Sequence, residues 1–208
     1  GLTKKKRNLT SGEMVAQVLY VQQDLDKTQD RLSHIVVMGT GEPFDNYENV
    51  MNFLSTVNHD RGLGIGARHI TISTCGVVPK IYEFSKEHTQ YNLAISLHAP
   101  NNTLRDELMP INHAYPLEEL MKAIRQYAAE NNRRLTFEYI LLRGVNDQKE
   151  HVKQLAKLLR GLNAYVNLIP YNAVDEKGFQ GVDHAHAMVF YDALMKEGIR
   201  CTIRKEHG

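Results

Sequence analysis

A parallel α/β fold is predicted for this chain, and three observations carry the prediction. Short runs rich in Val, Ile and Leu recur along it: Ile35 to Met38, Ile70 to Ser73, Leu93 to Leu97, Leu135 to Leu141, Tyr165 to Ile169 and Ile199 to Ile203. Such runs suit strands covered on both faces. Segments with apolar residues at helical spacing separate them, so the connections are crossovers and the strands should run parallel. Finally, successive strands end in small polar clusters, where parallel α/β folds place their ligands. An open doubly wound sheet and an open (β/α) barrel both satisfy this order.

The elements follow in turn. Thr10-Ser11-Gly12-Glu13 reads as a capping box, a hydroxyl and a carboxylate satisfying free N–H groups reciprocally. Met14, Val15, Val18, Leu19 and Leu25 then follow at helical spacing. Tyr47 to Val57 and Val77 to Phe84 read as crossover helices. Pro116 and the acids Glu118 and Glu119 suit a first helical turn, and Leu117, Leu120, Met121, Ile124, Tyr127 and Ala128 form its apolar stripe. Gly144 to Asp147 turns the chain, and Asp147, with Glu150 three residues on, is expected to cap the next helix. Ala185 to Lys196 is the last helix. No linker or low-complexity tract interrupts the pattern, so one domain over residues 1–208 is expected.

Composition narrows the class. Lys+Arg is 25 against Asp+Glu 24, so no global basic field argues for nucleic acid. No apolar run reaches the ~18 residues of a membrane span, and the basic start lacks the apolar segment of a secretory signal. The two cysteines, Cys75 and Cys201, lie far apart with no CxxC pair, which supports neither zinc site nor disulfide framework. A cytoplasmic location is expected. A start without Met and an end at Lys205-Glu206-His207-Gly208 read as a piece of a longer protein.

The strand ends carry the chemistry. They are Gly39-Thr40-Gly41-Glu42-Pro43, Ser73-Thr74-Cys75-Gly76, Ser96-Leu97-His98-Ala99-Pro100-Asn101-Asn102, Phe137-Glu138-Tyr139-Ile140 running to Arg143-Gly144-Val145-Asn146-Asp147, and Pro170-Tyr171-Asn172. Turn chemistry accounts for Gly, Asn and Pro, but Glu42, His98 and Glu138 are not turn formers. Gly39 and Gly41 let a ligand touch backbone. Glu42 and nearby carbonyls suit an ammonium group, and Ser73, Ser96 and Asn172 suit a carboxylate or ribose. The rim fits a zwitterionic, sugar-bearing ligand better than a bare phosphate.

The stretches "VVMGTGEPFDNY", "TISTCGVVPKI", "LAISLHAPNN", "RDELMPIN", "EYILLRGVND", "NLIPYN" and "TIRKEHG" resemble the radical S-adenosylmethionine methyltransferases that modify carbon 2 of adenine in 23S rRNA and in some tRNAs. The opening "KKKRNLTSGEMVAQV" resembles the segment after that family's cluster-binding loop. The similarity runs along the whole chain. It implies an incomplete (β/α)6 barrel whose first strand and cluster loop lie outside these residues, with S-adenosylmethionine across the strand ends. Gly41 and Glu42 correspond to the run holding the methionine amino group, Ser73 to a carboxylate or ribose contact, Ser96, Leu97 and His98 to a second cofactor run, and Asn172 to a third.

The resemblance also implies parts that this chain lacks. The family's [4Fe–4S] cluster takes a CxxxCxxC loop, and neither Cys75 nor Cys201 has that spacing. Its methyl-carrying cysteine follows the closing motif, and its acid for proton abstraction lies in an N-terminal RNA-binding domain. No catalytic residue is therefore assigned here. In the complete family enzyme, an electron from a donor such as flavodoxin or ferredoxin reaches the cluster, and cleavage of S-adenosylmethionine yields the radical that passes a methyl group to adenine. The isolated chain is expected to be inert, without membrane or obligate protein partner.

Other signals have plainer readings. Gly62-Leu63-Gly64-Ile65-Gly66 precedes a strand, so it lacks the strand–loop–helix context of a nucleotide fingerprint. His184 and His186, two apart, do not share a helical face and read as an exposed helix start. Cys75 and Cys201 read as small core residues. Lys4 to Arg7 suit either RNA phosphates or solvent, Arg143 either substrate or solvent, and Arg133-Arg134 a solvated loop. Met38, Met109 and Tyr139 read as packing, with Met38 and Tyr139 also open to a pocket role. A lyase or isomerase on a related barrel, adenine C8 methylation and an RNA-binding scaffold are the rival functions.

Overall fold

The computed structural model describes residues 5–171 and 178–204. In chain order the elements are α1 (Ser11–Asp26), β1 (Ile35–Val37), α2 (Tyr47–Asn58), β2 (Ile70–Thr74), α3 (Val78–Lys86), β3 (Asn92–Ser96), α4 (Asn102–Leu108), α5 (Leu117–Asn131), β4 (Leu135–Leu141), α6 (Lys149–Leu159), β5 (Ala164–Pro170), α7 (His184–Lys196) and β6 (Arg200–Ile203). The sheet has six strands in the order β1-β2-β3-β4-β5-β6. Pairing is parallel between β1 and β2, β3 and β4, β4 and β5, and β5 and β6. The expected parallel α/β class is therefore what forms. The chain groups into two compact units, Gly1–Thr74 with Glu87–Leu93, and Cys75–Lys86 with Ala94–Gly208.

In the first unit the capping box closes as the sequence predicts. The Glu13 N–H donates to Thr10 Oγ1 at 3.2 Å, and the Thr10 N–H donates to Glu13 Oε1 at 3.0 Å. Arg7 forks onto the same carboxylate at 2.6 and 2.7 Å, so this member of the basic opening run is paired with an acid. α2 buries Tyr47, Val50, Phe53, Leu54 and Val57. Ile35 pairs with Ile70 and Val37 with Ile72, and Ile70 and Ile72 are fully buried.

In the second unit β4 alternates strictly. Leu135, Phe137, Tyr139 and Leu141 are buried, while Thr136, Glu138 and Ile140 are half-buried on the other face. Tyr139 stacks on Phe190 of α7 at 5.5 Å, so the buried face is the helix-covered one. The Tyr139 hydroxyl donates to the Asn146 carbonyl at 2.6 Å, and burial raises its pKa. Tyr139 is thus packing and no pocket wall. Phe84 of α3 stacks on Tyr127 of α5 at 5.7 Å, the meeting of two apolar stripes. Gly76, at φ +110°, lies so close to Leu120 that a Cβ would stand 3.0 Å from its Cδ1. A side chain there would meet both backbone strain and a packed leucine.

Two expectations are corrected. α4 was not foreseen, because its one buried residue is Arg105; a seven-residue helix with a charged inner face shows no hydrophobic period. Asp147 does not cap α6. Gln148 occupies the N-cap, and its N–H donates to His151 Nδ1 at 3.0 Å. The Asp147 carboxylate is instead taken by the turn before it, accepting from the Gly144 N–H at 2.9 Å.

Candidate cofactor site at the strand ends

Two polar clusters form, one in each unit. In the first, Glu42 is the N-cap of the 3-10 turn Pro43–Asn46. Its Oε1 accepts from the Phe44 N–H at 3.0 Å and from Thr74 Oγ1 at 2.7 Å. The carboxylate left as a plain acceptor by the sequence reading is therefore oriented by a turn and by the end of β2. Ser73 is buried beside Thr74. Gly41 has no positive φ, and a Cβ built on it meets nothing within 4 Å. Neither backbone strain nor packing requires glycine there, which leaves room for a ligand at the backbone.

The second cluster surrounds the end of β3. His98 follows that strand at φ +58°, a left-handed conformation that is uncommon for a non-glycine residue. Several bonds fix it there. Its N–H donates to the Glu138 carbonyl at 3.2 Å. Its carbonyl accepts from Asn146 Nδ2 at 2.9 Å, and its Nδ1 accepts from the Ile140 N–H at 3.1 Å. Accepting at Nδ1 leaves the proton of the neutral ring on Nε2. Burial, and behind it the Arg105 charge, holds the His98 pKa down at about 4, so the ring is neutral at physiological pH. Leu97 is fully buried and belongs to the core; its carbonyl serves Arg105.

Arg105 is the residue that sequence reasoning missed. Its side chain is fully buried. Nε donates to the Leu97 carbonyl at 3.1 Å, Nη2 to the carbonyls of Cys75 at 2.6 Å and Ser96 at 3.2 Å, and Nη1 to Asn112 Oδ1 at 3.2 Å. Burial lowers its pKa to about 10, so it stays charged. Among the described residues no carboxylate forms an ion pair with this buried cation, and its four hydrogen bonds hold the chain where β3 ends. The motif "RDELMPIN" contained it, but a lone Arg between polar neighbours gives no sign of burial.

Ser96 Oγ lies 3.4 Å from Glu138 Oε2. Burial raises the Glu138 pKa, partly offset by Ser96 and by the charge of Arg204. The structure thus groups Ser96, Leu97 and His98 with Glu138 and Arg105 in the second unit, and Glu42 with Thr74 and Ser73 in the first. Asn172 lies outside the described residues, as does Lys4.

Other candidates resolve as follows. His186 is not a bare helix start: its Nε2 stands 2.7 Å from Asp147 Oδ2, a fully buried carboxylate. Among the described residues no group of three or more His, Cys, Asp or Glu could hold a metal ion. Cys201 is buried, its Sγ donates to the Ile199 carbonyl at 3.3 Å, and burial pushes its thiol up to about 12. Iron–sulfur clusters take thiolates, so Cys201 and the distant Cys75 do not fit one. No helix among the described residues is long and apolar enough to cross a membrane.

Comparison with known proteins adds the following. Residues 7–159 match the Radical SAM superfamily. A probable dual-specificity RNA methyltransferase RlmN of Spiroplasma citri is 57% identical over 208 residues, covering 100% of this chain and 60% of the relative. Its counterpart of Enterococcus faecalis is 58% identical over 213 residues, with the same coverage. The crystal structure of a radical SAM methyltransferase from Sphaerobacter thermophilus superposes with a TM-score of 0.94 at 45% identity, over 98% of this chain and 60% of that one. The chain spans about 60% of the length of these relatives.

Proposed function

Because the chain belongs to the Radical SAM superfamily, we propose that it is the S-adenosylmethionine-binding core of an RNA methyltransferase acting on adenine C2 of 23S rRNA and of tRNA. The observation that carries this reading is identity of 57–58% along the whole chain to relatives named as dual-specificity RNA methyltransferases. In this reading S-adenosylmethionine supplies the methyl group, and the chain's own residues bind and orient it.

Gly41 and Glu42 take the methionine ammonium. Thr74 and the Phe44 N–H hold the carboxylate through Oε1, which lowers the side-chain entropy lost on binding. Ser73 serves the methionine carboxylate or ribose, and Ser96 and His98 the adenosyl part, with Leu97 as the core residue between them; Asn172 is the remaining candidate. A neutral His98 with its proton on Nε2 offers a donor without adding positive charge next to a sulfonium. Ligands for a [4Fe–4S] cluster would come from residues beyond these 208, as would the methyl-carrying cysteine. An electron donor of the flavodoxin or ferredoxin class is the expected partner, with no obligate protein partner and a cytoplasmic location.

Thermal unfolding with S-adenosylmethionine and S-adenosylhomocysteine tests the site. Ligand at ~100 times its dissociation constant should add ~2.7 kcal/mol. Absence of any shift with either compound overturns the cofactor assignment. Mapping the product of the full-length enzyme on 23S rRNA and tRNA tests the rest: 2-methyladenine is expected, and 8-methyladenine would move the chain to the C8 reading. The 208 residues alone should transfer no methyl group.

A further inference from the structure

Strand register places four polar side chains in one row. Ser96 of β3 pairs with Glu138 of β4, Glu138 with Asn167 of β5, and Asn167 with Thr202 of β6. All four lie on the face away from the helices, since their neighbours Ile95, Phe137, Val166 and Cys201 are the buried ones. Adjacent strands are about 4.8 Å apart, and the row is continuous. Ser96 Oγ is 3.4 Å from Glu138 Oε2, and Thr202 Oγ1 donates to Asn167 Oδ1 at 3.2 Å. Hydrophobic residues would be the usual occupants of a half-buried strand position.

Glu138 is the anomaly within the row. It is half-buried in mid-strand, and among the described residues no Lys, Arg or His forms an ion pair with it. Desolvation is costly, and it outweighs the hydrogen bond from Ser96 and the charge of Arg204, so the Glu138 pKa is raised. A structural role would have been filled more cheaply by Val or Ile. A half-buried carboxyl in mid-strand with a shifted pKa is a candidate for ligand binding. Beside it, the Asn167 amide has one atom without a protein partner among the described residues.

One level down the strands, about 7 Å away, Tyr165 pairs with Arg200. The Arg134 guanidinium lies over the Tyr165 ring at 4.4 Å. Arg200 Nη2 donates to Asn163 Oδ1 at 2.9 Å. Arg134, Tyr165, Asn167, Arg200 and Thr202, with Met195 and Cys201, line a cavity of about 440 Å³, within the range of small-ligand sites; Glu138 adjoins it through its register with Asn167. Two arginines below an acceptor–donor pair suit a nucleotide, which carries an anionic phosphate at one end and a hydrogen-bonding base edge at the other.

We propose that Glu138 and Asn167 read the base of an RNA adenosine, and that Arg134 and Arg200 hold its phosphate. Glu138 accepts from the exocyclic amino group, and the Asn167 amide donates to the neighbouring ring nitrogen, an amide–adenine pairing of the kind used in base readout. The assignment rests on the RNA methyltransferase reading above and adds to it the specificity-determining residues.

The test uses the full-length enzyme and a fluorescent RNA hairpin carrying the target adenosine or, in its place, purine riboside, which lacks the amino group. Wild type should bind the adenosine hairpin about tenfold more tightly. Glu138→Leu, which removes a half-buried carboxyl, should melt at an equal or higher temperature and erase that preference, while Glu138→Gln, which keeps a hydrogen-bonding partner for Ser96, should weaken it and still show a thermal shift with S-adenosylmethionine. Arg134→Gln with Arg200→Gln should weaken both hairpins equally and reduce the slope of log affinity against log salt by about 1. The proposal is overturned if Glu138→Leu keeps the preference, or if it instead abolishes the S-adenosylmethionine shift, which would assign the row to the cofactor. Wild type that binds neither hairpin while keeping its S-adenosylmethionine shift overturns the RNA reading, and this proposal with it.

Discussion

Arg105 Nη2 donates to the carbonyl of Cys75 at 2.6 Å, and the same nitrogen reaches the Ser96 carbonyl at 3.2 Å. One planar cation thereby ties the segment after β2 to the end of β3. Lysine cannot reproduce this fork, having a single nitrogen on a flexible stem. Arg105→Lys should leave buried carbonyls without donors and cost about 3 kcal/mol or more, each orphaned acceptor contributing about 1–3. Urea denaturation should show a lower midpoint at unchanged slope. A loss under about 1 kcal/mol would show that the buried fork is dispensable.

Thr74 Oγ1 donates to Glu42 Oε1 at 2.7 Å. Thr74→Val keeps shape and deletes that donor, so stability should fall by about 1 kcal/mol. If the Glu42 rotamer is what receives the ammonium group, S-adenosylmethionine affinity should fall about tenfold, or about 1.4 kcal/mol. Isothermal titration reads this directly. An unchanged affinity would detach Glu42 from ligand binding and leave it as a cap.

His98 is held neutral by burial and by Arg105, with its pKa at about 4 against an ordinary 6.5. The unfolded chain takes up a proton near 6.5 and the folded one does not. Falling pH therefore favours unfolding between about 6.5 and 4, and the slope ends below that. The loss across the window is up to about 3 kcal/mol, at 1.36 per pKa unit. His98→Asn, whose side chain tolerates positive φ, should remove this component, read as the difference between the stability profiles of the two proteins. The raised Glu138 pKa has the opposite sign, favouring the folded state as pH falls, and is common to both. Parallel profiles from pH 7 to 4 would contradict the burial of His98.

Asp147 and His186 form the third tie. Oδ1 accepts from the Gly144 N–H at 2.9 Å and from Gln148 Nε2 at 2.7 Å, while Oδ2 faces His186 Nε2 at 2.7 Å. Asp147→Ala should cost about 2–3 kcal/mol through its orphaned donors. Hydrogen exchange at the start of α7 should quicken, because the clamp on that turn is gone. Unaltered exchange there would show that Asp183, which accepts from the His186 N–H at 2.7 Å, holds the helix start alone.

How far the sequence could be read depended on which force placed each element. Apolar strands and striped helices were legible, since Ile70 to Thr74 or Leu117 to Tyr127 carry their burial in their own spacing. The capping box at Thr10 and Glu13 was legible because its partners are three residues apart. α4 was not, because Arg105 is its buried residue, and the bonds that make its burial tolerable come from carbonyls 8 and 30 residues away. Asp147 was misassigned as a cap for a related reason: the helix start competes for that carboxylate with Gly144 and with His186, thirty-nine positions along.

Alternating apolar runs determined the parallel α/β class and which strand ends would be polar, because hydrophobic period is local and survives without knowledge of neighbours. Tertiary structure alone decided that Glu138 stands in register with Ser96 and Asn167, that His98 is trapped neutral at positive φ, and that Arg105 is buried. Those outcomes depend on which strand lies beside which and on how much water is excluded. Both are properties of the assembled sheet, since the interactions concerned join residues that only folding makes adjacent.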